Sequence, residues 1–547
     1  MFFPKHFPLS GPAEAEPGSR APHLVLLGLA LATVLAVLVG AGNLAIAVAP
    51  CLLALLLCAL WLLPLRITMV GLLAMSWAIE SPTDVFADGR LHSPWEMVGR
   101  LLWSKLNLVI PFSPLVVTGF DLVALLLFVV VVQRHVRKSA IDQAGWVDTP
   151  AALSTFAWLS VLAVVWMSLF GLVQGGSFRF VLWQCARWLY LPIVYALMRQ
   201  GLRGPKDALL VGKVLLGVGL FKALEAIALR LKFPSVELMT HATSHHDSVL
   251  FASCVAILMA LVLEMPSKRT LRLFAGLVPV FLWAMVANNR RLVWAELALV
   301  AVFFWLVTPW RPLKRKLARL AVYSVLPLLL YAGLGWNSDA GIFAPVQKAR
   351  SMVDSNRDAS TLWRDLEDFD LIFTYVESPL LGTGFGHPFV EKIKLPDVTA
   401  HYELEPYIPH NSVLGLWAFG GLVGFSLLWA LFPVGIFFTV RAYRYARSPI
   451  ERVTALGAAA VQVCYLMQGY GDLGFGTWGP VFTVAASYAL VGKLCVANGA
   501  WSTPVRHGAR GRKSGAVRHP TPVPAGAAVH AKGRLPEGLE VGPGPTA

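Results

Sequence analysis

Residues 151–173 read AALSTFAWLSVLAVVWMSLFGLV, twenty-three residues without one charged side chain. At a rise of about 1.5 Å per residue, such a run makes a helix long enough to cross a hydrocarbon core of about 30 Å. Strands of a membrane barrel alternate in polarity and this run does not, so a helix is the spanning element it predicts. The same texture recurs along the chain. It predicts further spans near 24–41, 44–63, 66–80, 108–132, 181–198, 207–230, 247–265, 271–288, 292–309, 320–335, 411–440, 453–470 and 477–496. The expectation is an all-α polytopic membrane protein of about fourteen helices, with twelve as the lower count. Hydrophobic residues make up 56% of the chain and charged residues 14%, where a soluble domain carries roughly 25% charged. A water-soluble protein is excluded.

Orientation follows from the lysines and arginines of the short loops, which concentrate on the cytoplasmic side. Loops at 66, 134–138, 199–206, 268–272, 311–319 and 441–452 hold nineteen of them, against seven in the opposite short loops. The nineteen mark the cytoplasmic face, and both termini are expected there. This bias and the basic tail from Arg506 to Arg534 account for the net charge of +15 without a nucleic-acid partner. The layout expected is a disordered cytoplasmic segment at 1–22, helices one to eleven over 23–335, a large external loop over 336–410, helices twelve to fourteen over 411–498, and a disordered basic tail at 499–547. Cys51, Cys58, Cys185, Cys254, Cys464 and Cys495 all fall in spans without CxxC spacing, which reads as packing.

The long external loop is where function is expected. Within it, ASTLWRDLEDFDLIFTYVE (359–377) repeats Leu362, Leu366, Phe369, Ile372, Phe373 and Val376 at helical spacing. That predicts a helix along the membrane surface, capping a cavity between spans; a solvated loop helix is the plainer alternative. Ser378-Pro-Leu-Leu-Gly-Thr-Gly-Phe-Gly386 follows, a glycine-spaced turn that by itself means only backbone bending. The loop closes on Pro409-His410-Asn411-Ser412, which runs straight into a span.

Arg290 and Arg291 stand on the external side against the basic-residue bias, at the mouth of two apolar spans. A guanidinium is a planar fork of donors suited to phosphate oxygens. Pairing with Glu296, or reaching for lipid phosphates, is the alternative. Arg187 lies about 9 Å inside its span by helical rise, and intramembrane charge faces a cavity or a partner, so it is the second anion-binding candidate. Arg179, in the loop before it, is the third. Lys222 and Glu225, three apart on one helix face, read as neutralising each other. His241, His245, His246 and Asp247 are ligand types for a divalent metal, but Thr243 and Ser244 beside them read equally as a polar helix cap, and no metal is assigned. Tyr470 and Asp472, in a glycine-rich turn, are either sugar contacts or part of a plain hairpin. Histidine's ordinary pKa of about 6.5 suits His410 to take a proton from a hydroxyl near neutral pH. Asn411 is expected to orient its imidazole or bind sugar, Arg364 to contact substrate, and His387 and His401 are alternates for the base.

Three pieces in order, Asn288-Asn289-Arg290-Arg291, PLLGTGFG (379–386) and HNSVLGLWAFGGLVG (410–424), give the chain a resemblance to the O-antigen ligase and O-antigen polymerase superfamily. The resemblance covers the organisation of residues 150–440. It departs from the common pattern at Phe419, where family members carry an acidic residue, and at Asn289-Arg290-Arg291, which stands where many have Ser-Arg-Gly. The resemblance implies a bacterial inner-membrane enzyme acting on undecaprenyl-pyrophosphate-linked glycans at the periplasmic face. By that reading His410 is the base and Arg290, Arg291 and Arg187 bind the donor pyrophosphate. Transfer would invert the anomeric centre without metal, nucleotide or other cofactor. Expected partners are the lipid-linked oligosaccharide, the bilayer, and chain-length and export proteins. A polymerase acting on a lipid-linked repeat unit is favoured over a ligase acting on lipid A-core or protein, with a transporter or flippase of lipid-linked sugars as the competing class and a non-catalytic secretion scaffold as a further alternative. No Walker or Rossmann glycine pattern is present.

Overall fold

The computed structural model describes residues 63–79, 117–136, 145–233, 242–338, 340–350, 359–395, 406–471 and 474–501, with Gly99, Leu102 and Trp103. The two expected spans before residue 63, the chain beyond residue 501, and His241, His401 and Asp472 lie outside the described residues.

The regular elements among these residues are helices. They are α1 (Leu65–Ala78), α2 (Gly119–Val136), α3 (Ala151–Val173), α4 (Phe178–Gly201), α5 (Ala208–Lys232), α6 (His245–Glu264), α7 (Lys268–Asn288) and α8 (Leu292–Val307). There follow α9 (Pro312–Gly335), α10 (Ala344–Arg350), α11 (Ala359–Glu377), α12 (Ser412–Trp429), α13 (Leu431–Arg444), α14 (Pro449–Gly471) and α15 (Trp478–Ala497). Eight stretches, with α12 and α13 counted as one, are long and apolar enough to cross a membrane, while α1 and α8 are shorter apolar helices. The apolar runs bound their helices closely, because a backbone out of water must satisfy its own polar groups until polar residues return. Prolines and caps sharpen the limits: Pro312 opens α9. Ser267 and Thr270 exchange side-chain and backbone hydrogen bonds in a capping box before α7.

α15 is the centre of the bundle, packed by α4, α14, α13 and α1, whereas α9 packs chiefly on α10 and the 341–343 turn and leaves its outer residues exposed. α3 carries Ala163, Val164 and Met167 in the core and Trp158, Leu162, Val165 and Leu169 exposed on the outside. A helix apolar on both faces is stable only against apolar surroundings, which makes this a multi-pass membrane protein. Inside, polar side chains join helices across the core. Gln462 donates to Thr439 at 2.9 Å and Ser487 at 3.0 Å, and the Trp77 indole donates to Thr483 at 2.8 Å.

The loops rich in basic residues close one end of the bundle with ion pairs. Arg199 meets Asp148 at 2.7 Å and Arg66 meets Asp207 at 3.4 Å. Glu264 accepts from Arg452 at 2.7 Å, Arg311 at 3.0 Å and the Tyr443 hydroxyl at 2.6 Å. One expectation is corrected here: 411–440 is not one continuous helix. α12 is broken at Gly421 (φ 55°, ψ −163°) and gives way to α13 at Ala430.

Candidate active site

The break in α12 is filled by the glycine turn. In an unbroken helix the Ala418 and Phe419 carbonyls would accept from Leu422 and Val423. Here they accept from the Thr383 and Gly384 N–H groups at 3.2 and 2.9 Å, while the Leu422 and Val423 N–H groups donate to Pro379 and Leu380 at 2.8 and 3.1 Å. The turn has entered the helix's own ladder, and these four backbone groups regain partners, the condition for irregular backbone between spans. A Cβ on Gly421 would stand 2.5 Å from the Gly382 nitrogen, and Gly382 and Gly384 have φ of 68° and 77°, so side chains are excluded on both sides of the joint. Phe385 N–H donates to Met167 of α3 at 3.0 Å, and Gly386 N–H to the Gln184 side chain of α4 at 2.5 Å. What reads in sequence as simple bending is a plug that locks α3, α4 and α12 together.

α11 runs beside α12 with its polarity reversed. Glu367, Asp370 and Thr374 are fully buried, while Phe369, Ile372 and Val376 are exposed by about half. The buried side holds the chain that follows the plug: Asp370 accepts from the Lys392 and Ile393 N–H groups at 3.0 and 3.1 Å, and Thr374 from Val390 N–H at 2.8 Å. Glu367 accepts from the His410 backbone N–H at 3.1 to 3.2 Å and meets the imidazole Nδ1 at 3.2 Å. Asn411 does not touch the imidazole, contrary to the expectation that it orients the ring. Its carbonyl oxygen accepts from Leu414 N–H at 3.1 Å, capping α12, and its amide donates to Asp368 at 3.3 Å. Burial pushes the Asp368 carboxyl up to about 6 against the Asn411 hydrogen bond, which lowers it; Glu367 and Asp365 add to the rise.

Tyr407, Ile408, Pro409 and Ser412, on either side of His410, line a narrow cleft of about 30 Å³ with Gln184, Arg187 and Trp188 of α4, Phe419 of α12, and Gly476. Phe419, to which no role is transferred by resemblance, is thus a wall of the cleft. Arg187 also borders a second, smaller cavity of about 10 Å³ with Ser160, Phe432 and Tyr465. Its stem lies against Gly476, where a Cβ would come within 2.8 Å of the Arg187 Cγ, and among the described residues no ion pair or hydrogen bond engages its guanidinium. One face of α4 builds this wall. Phe180 stacks on Tyr407 at 3.6 Å, and Gln184 donates to the Tyr407 carbonyl at 2.7 Å while accepting from the plug. Arg179 lies 5.7 Å from the Phe180 ring.

Arg290 and Arg291 stand apart from this cleft's lining. Arg290 contacts the His245 Nε2. Asn288 binds the start of α6, accepting from Thr243 N–H at 3.0 Å and donating to the Ser244 carbonyl at 3.0 Å and the Ser248 hydroxyl at 2.8 Å. The Ser244 side chain makes no cap bond, and Asn288 fastens the residues at the start of α6 without accepting from that helix's own first N–H groups. Lys222 meets Glu225 at 2.6 Å as expected, and Asp247 joins them at 3.3 Å. Among the described residues no three histidines, cysteines or carboxylates gather as a metal site. Leu292 lies against Gly471, while Gly476 lies against Arg187.

The His387 ring bonds the Gly171 carbonyl at 3.0 Å and pins the plug to α3. Arg364 is half-buried on α11, close enough to Asp368 to lower its pKa. Tyr470 is exposed. Sequence reasoning singled out neither Glu367 nor Gln184. A signal for Glu367 was present: Glu367, Asp370 and Thr374 fall three and four apart, a polar stripe opposite the apolar one.

Residues 280–429 match the family model described as O-antigen ligase. The matched segment spans Arg290, α11, the plug, His410 and α12. It supports the O-antigen ligase and polymerase superfamily, and with it a membrane enzyme that transfers glycans. A transporter has no support from it. No curated protein matches the chain.

Proposed function

We propose, from that family match, that this protein is a polymerase of a bacterial surface or exported polysaccharide. It takes the glycan from a polyprenyl-pyrophosphate donor and passes it to a hydroxyl of a second lipid-linked repeat unit at the periplasmic face of the inner membrane. The observation that carries the reading is the cleft shared by Arg187 and the chain around His410, with a buried carboxylate against the imidazole. His410 Nε2 takes the hydroxyl proton as that oxygen bonds to the anomeric carbon. The bond from that carbon to the phosphate oxygen breaks on the opposite face, inverting the centre, and its electron pair leaves with the pyrophosphate. Arg187 meets the growing negative charge inside the bundle, where few solvent dipoles compete, and Arg290 and Arg291 help hold the donor pyrophosphate. The pyrophosphate is its own activated leaving group, so metal and nucleotide have no step to perform. About fourteen spans with both termini in the cytoplasm complete the reading, and the apolar stripe of α11 lies in the outer leaflet.

A ligase is the second reading, because the matched family model carries that description. The 336–410 loop, too short to hold a large appended soluble domain, favours the polymerase over transfer to protein. Deleting the gene and analysing the glycolipids separates them. Accumulated single repeat units support the polymerase, and long chains left on the polyprenyl carrier support the ligase. His410→Ala is expected to lower transfer by about a thousandfold; a wild-type rate in that variant rejects the assignment of the base.

A further inference from the structure

We propose that Glu367 is the positioning residue for His410, so that α11 is a working part of the transfer site and not merely a cover over it. The proposal rests on the reading of His410 as base. Glu367 is fully buried while the His410 side chain is about a quarter exposed, so the carboxylate stands behind the ring, away from solvent. An ionised carboxylate only accepts hydrogen bonds. Its contact with Nδ1 at 3.2 Å therefore puts the ring proton on Nδ1 and the basic lone pair on Nε2. The same carboxylate accepts from the backbone N–H of His410, which holds the residue at both its main chain and its ring.

When Nε2 takes the acceptor's proton the ring becomes a cation, and Glu367 is the fixed negative charge it meets, already in place and without solvent to reorganise. Glu367 itself gains no proton. Its position is secured independently of His410, through Asp370 and Thr374 on the same buried face of α11 and through the Asn411 to Asp368 bond at 3.3 Å. Among the described residues, the packed elements also carry Asp365, Asp368 and Arg364 on α11 and Arg187 in the adjoining cleft wall. None of them contacts Nδ1 in the hydrogen bonds among the described residues.

Glu367→Gln separates this role from a structural one. Glutamine keeps an oxygen for the backbone N–H but can offer its amide N–H to Nδ1, which then carries the lone pair and leaves the proton on Nε2. Full-length protein in lipid nanodiscs, labelled with 15N-histidine, reads the tautomer directly, and His410→Ala identifies the His410 signal. Wild type is expected to show protonated Nδ1, Glu367→Gln protonated Nε2, and Glu367→Asp the wild-type pattern. In membranes from gene-deleted host cells, polymer made from the cells' own donor is expected to fall about a hundredfold in Glu367→Gln and to recover to within tenfold in Glu367→Asp. Glu367→Gln with an unchanged tautomer overturns the proposal, whatever its rate. So does a wild-type rate in Glu367→Gln when His410→Ala is inactive, an outcome that leaves the base assignment standing. If Glu367→Gln does not fold, loss of the Nδ1 proton in Glu367→Asp overturns the proposal by itself. A wild-type rate in His410→Ala rejects instead the reading of the base on which the proposal rests.

Discussion

At one end of the bundle Arg199 faces Asp148, Arg66 faces Asp207, and Arg311 and Arg452 converge on Glu264. At the other, Arg290 is set against a histidine, Arg187 lines a cleft, and the buried carboxylate Glu367 is turned toward an imidazole. The same side-chain types are present at both ends, matched differently. Where arginine and carboxylate meet directly, each cancels the other's field, and the result is a fastener for helix ends. Where Arg187 lines the cleft with no carboxylate against it among the described residues, its positive charge is left for an anion, and Glu367 leaves negative charge for a base. The stability of one end and the chemistry of the other should therefore respond to different substitutions.

The largest contrast is expected between two arginines of the same helix. Arg187→Ala should lower glycan transfer by about 100- to 1000-fold, the usual loss when one preorganised donor to a leaving group is removed. Arg199→Ala, which loses only a partly exposed ion pair with Asp148, should leave the rate within about twofold and stability within about 1 kcal/mol. Transfer assays on membranes carrying equal amounts of each variant check this. A comparable loss in both would erase the distinction between the ends.

Gly421→Ala tests the joint that shapes the reactive end. A Cβ there meets the Gly382 backbone at 2.5 Å in a left-handed conformation, which should cost about 3 kcal/mol. It should appear as a lower thermal midpoint in detergent, together with lost activity, since the plug carries the Gln184 contact to the cleft wall. Glu264→Gln should lower the thermal midpoint by an amount matching about 2 kcal/mol, less than for a fully enclosed pair because Arg311 and Arg452 still reach solvent. Transfer per folded molecule should stay within twofold.

The smallest effect is the pH dependence of Asp368. Its carboxyl is raised to about 6 in the folded protein from an ordinary value near 4, so the folded state holds the proton more tightly. Stability from this group is present at low pH and is lost as pH rises from about 4 through about 6. Asp368→Asn should therefore raise the thermal midpoint at pH 7.5 by an amount matching about 1 kcal/mol and leave it nearly unchanged at pH 4. An equal gain at both pH values would mean that ionisation is not the cause.

Much of this architecture was legible beforehand. The run at 151–173 is α3 residue for residue, and Lys222 does neutralise Glu225. His410, Asn411 and the glycine turn were all singled out, the latter two with other contacts than the structure gives them. Asn411 caps α12 instead of turning the ring, and His387 pins the plug. The distant contacts depend on partners that sequence spacing does not bring near: Glu367 is 43 positions from His410, and His245 is 45 from Arg290.

What the sequence determined by itself was that its apolar runs are helices, and the end of the bundle that gathers basic loops. Both depend on local quantities: the transfer of consecutive side chains out of water, and a backbone that must satisfy itself within one segment. Tertiary structure alone decided that α12 would open at Gly421 for another stretch of chain, that α11 would turn its polar stripe inward, and which carboxylate would face which cation. Hydrogen bonds lost in one helix were regained from a turn nearly forty residues away, and a buried charge took the partner that its helix face met. Such matches are settled when the helix faces pack together, because a polar group shut out of water must find its partner among whatever residues close around it.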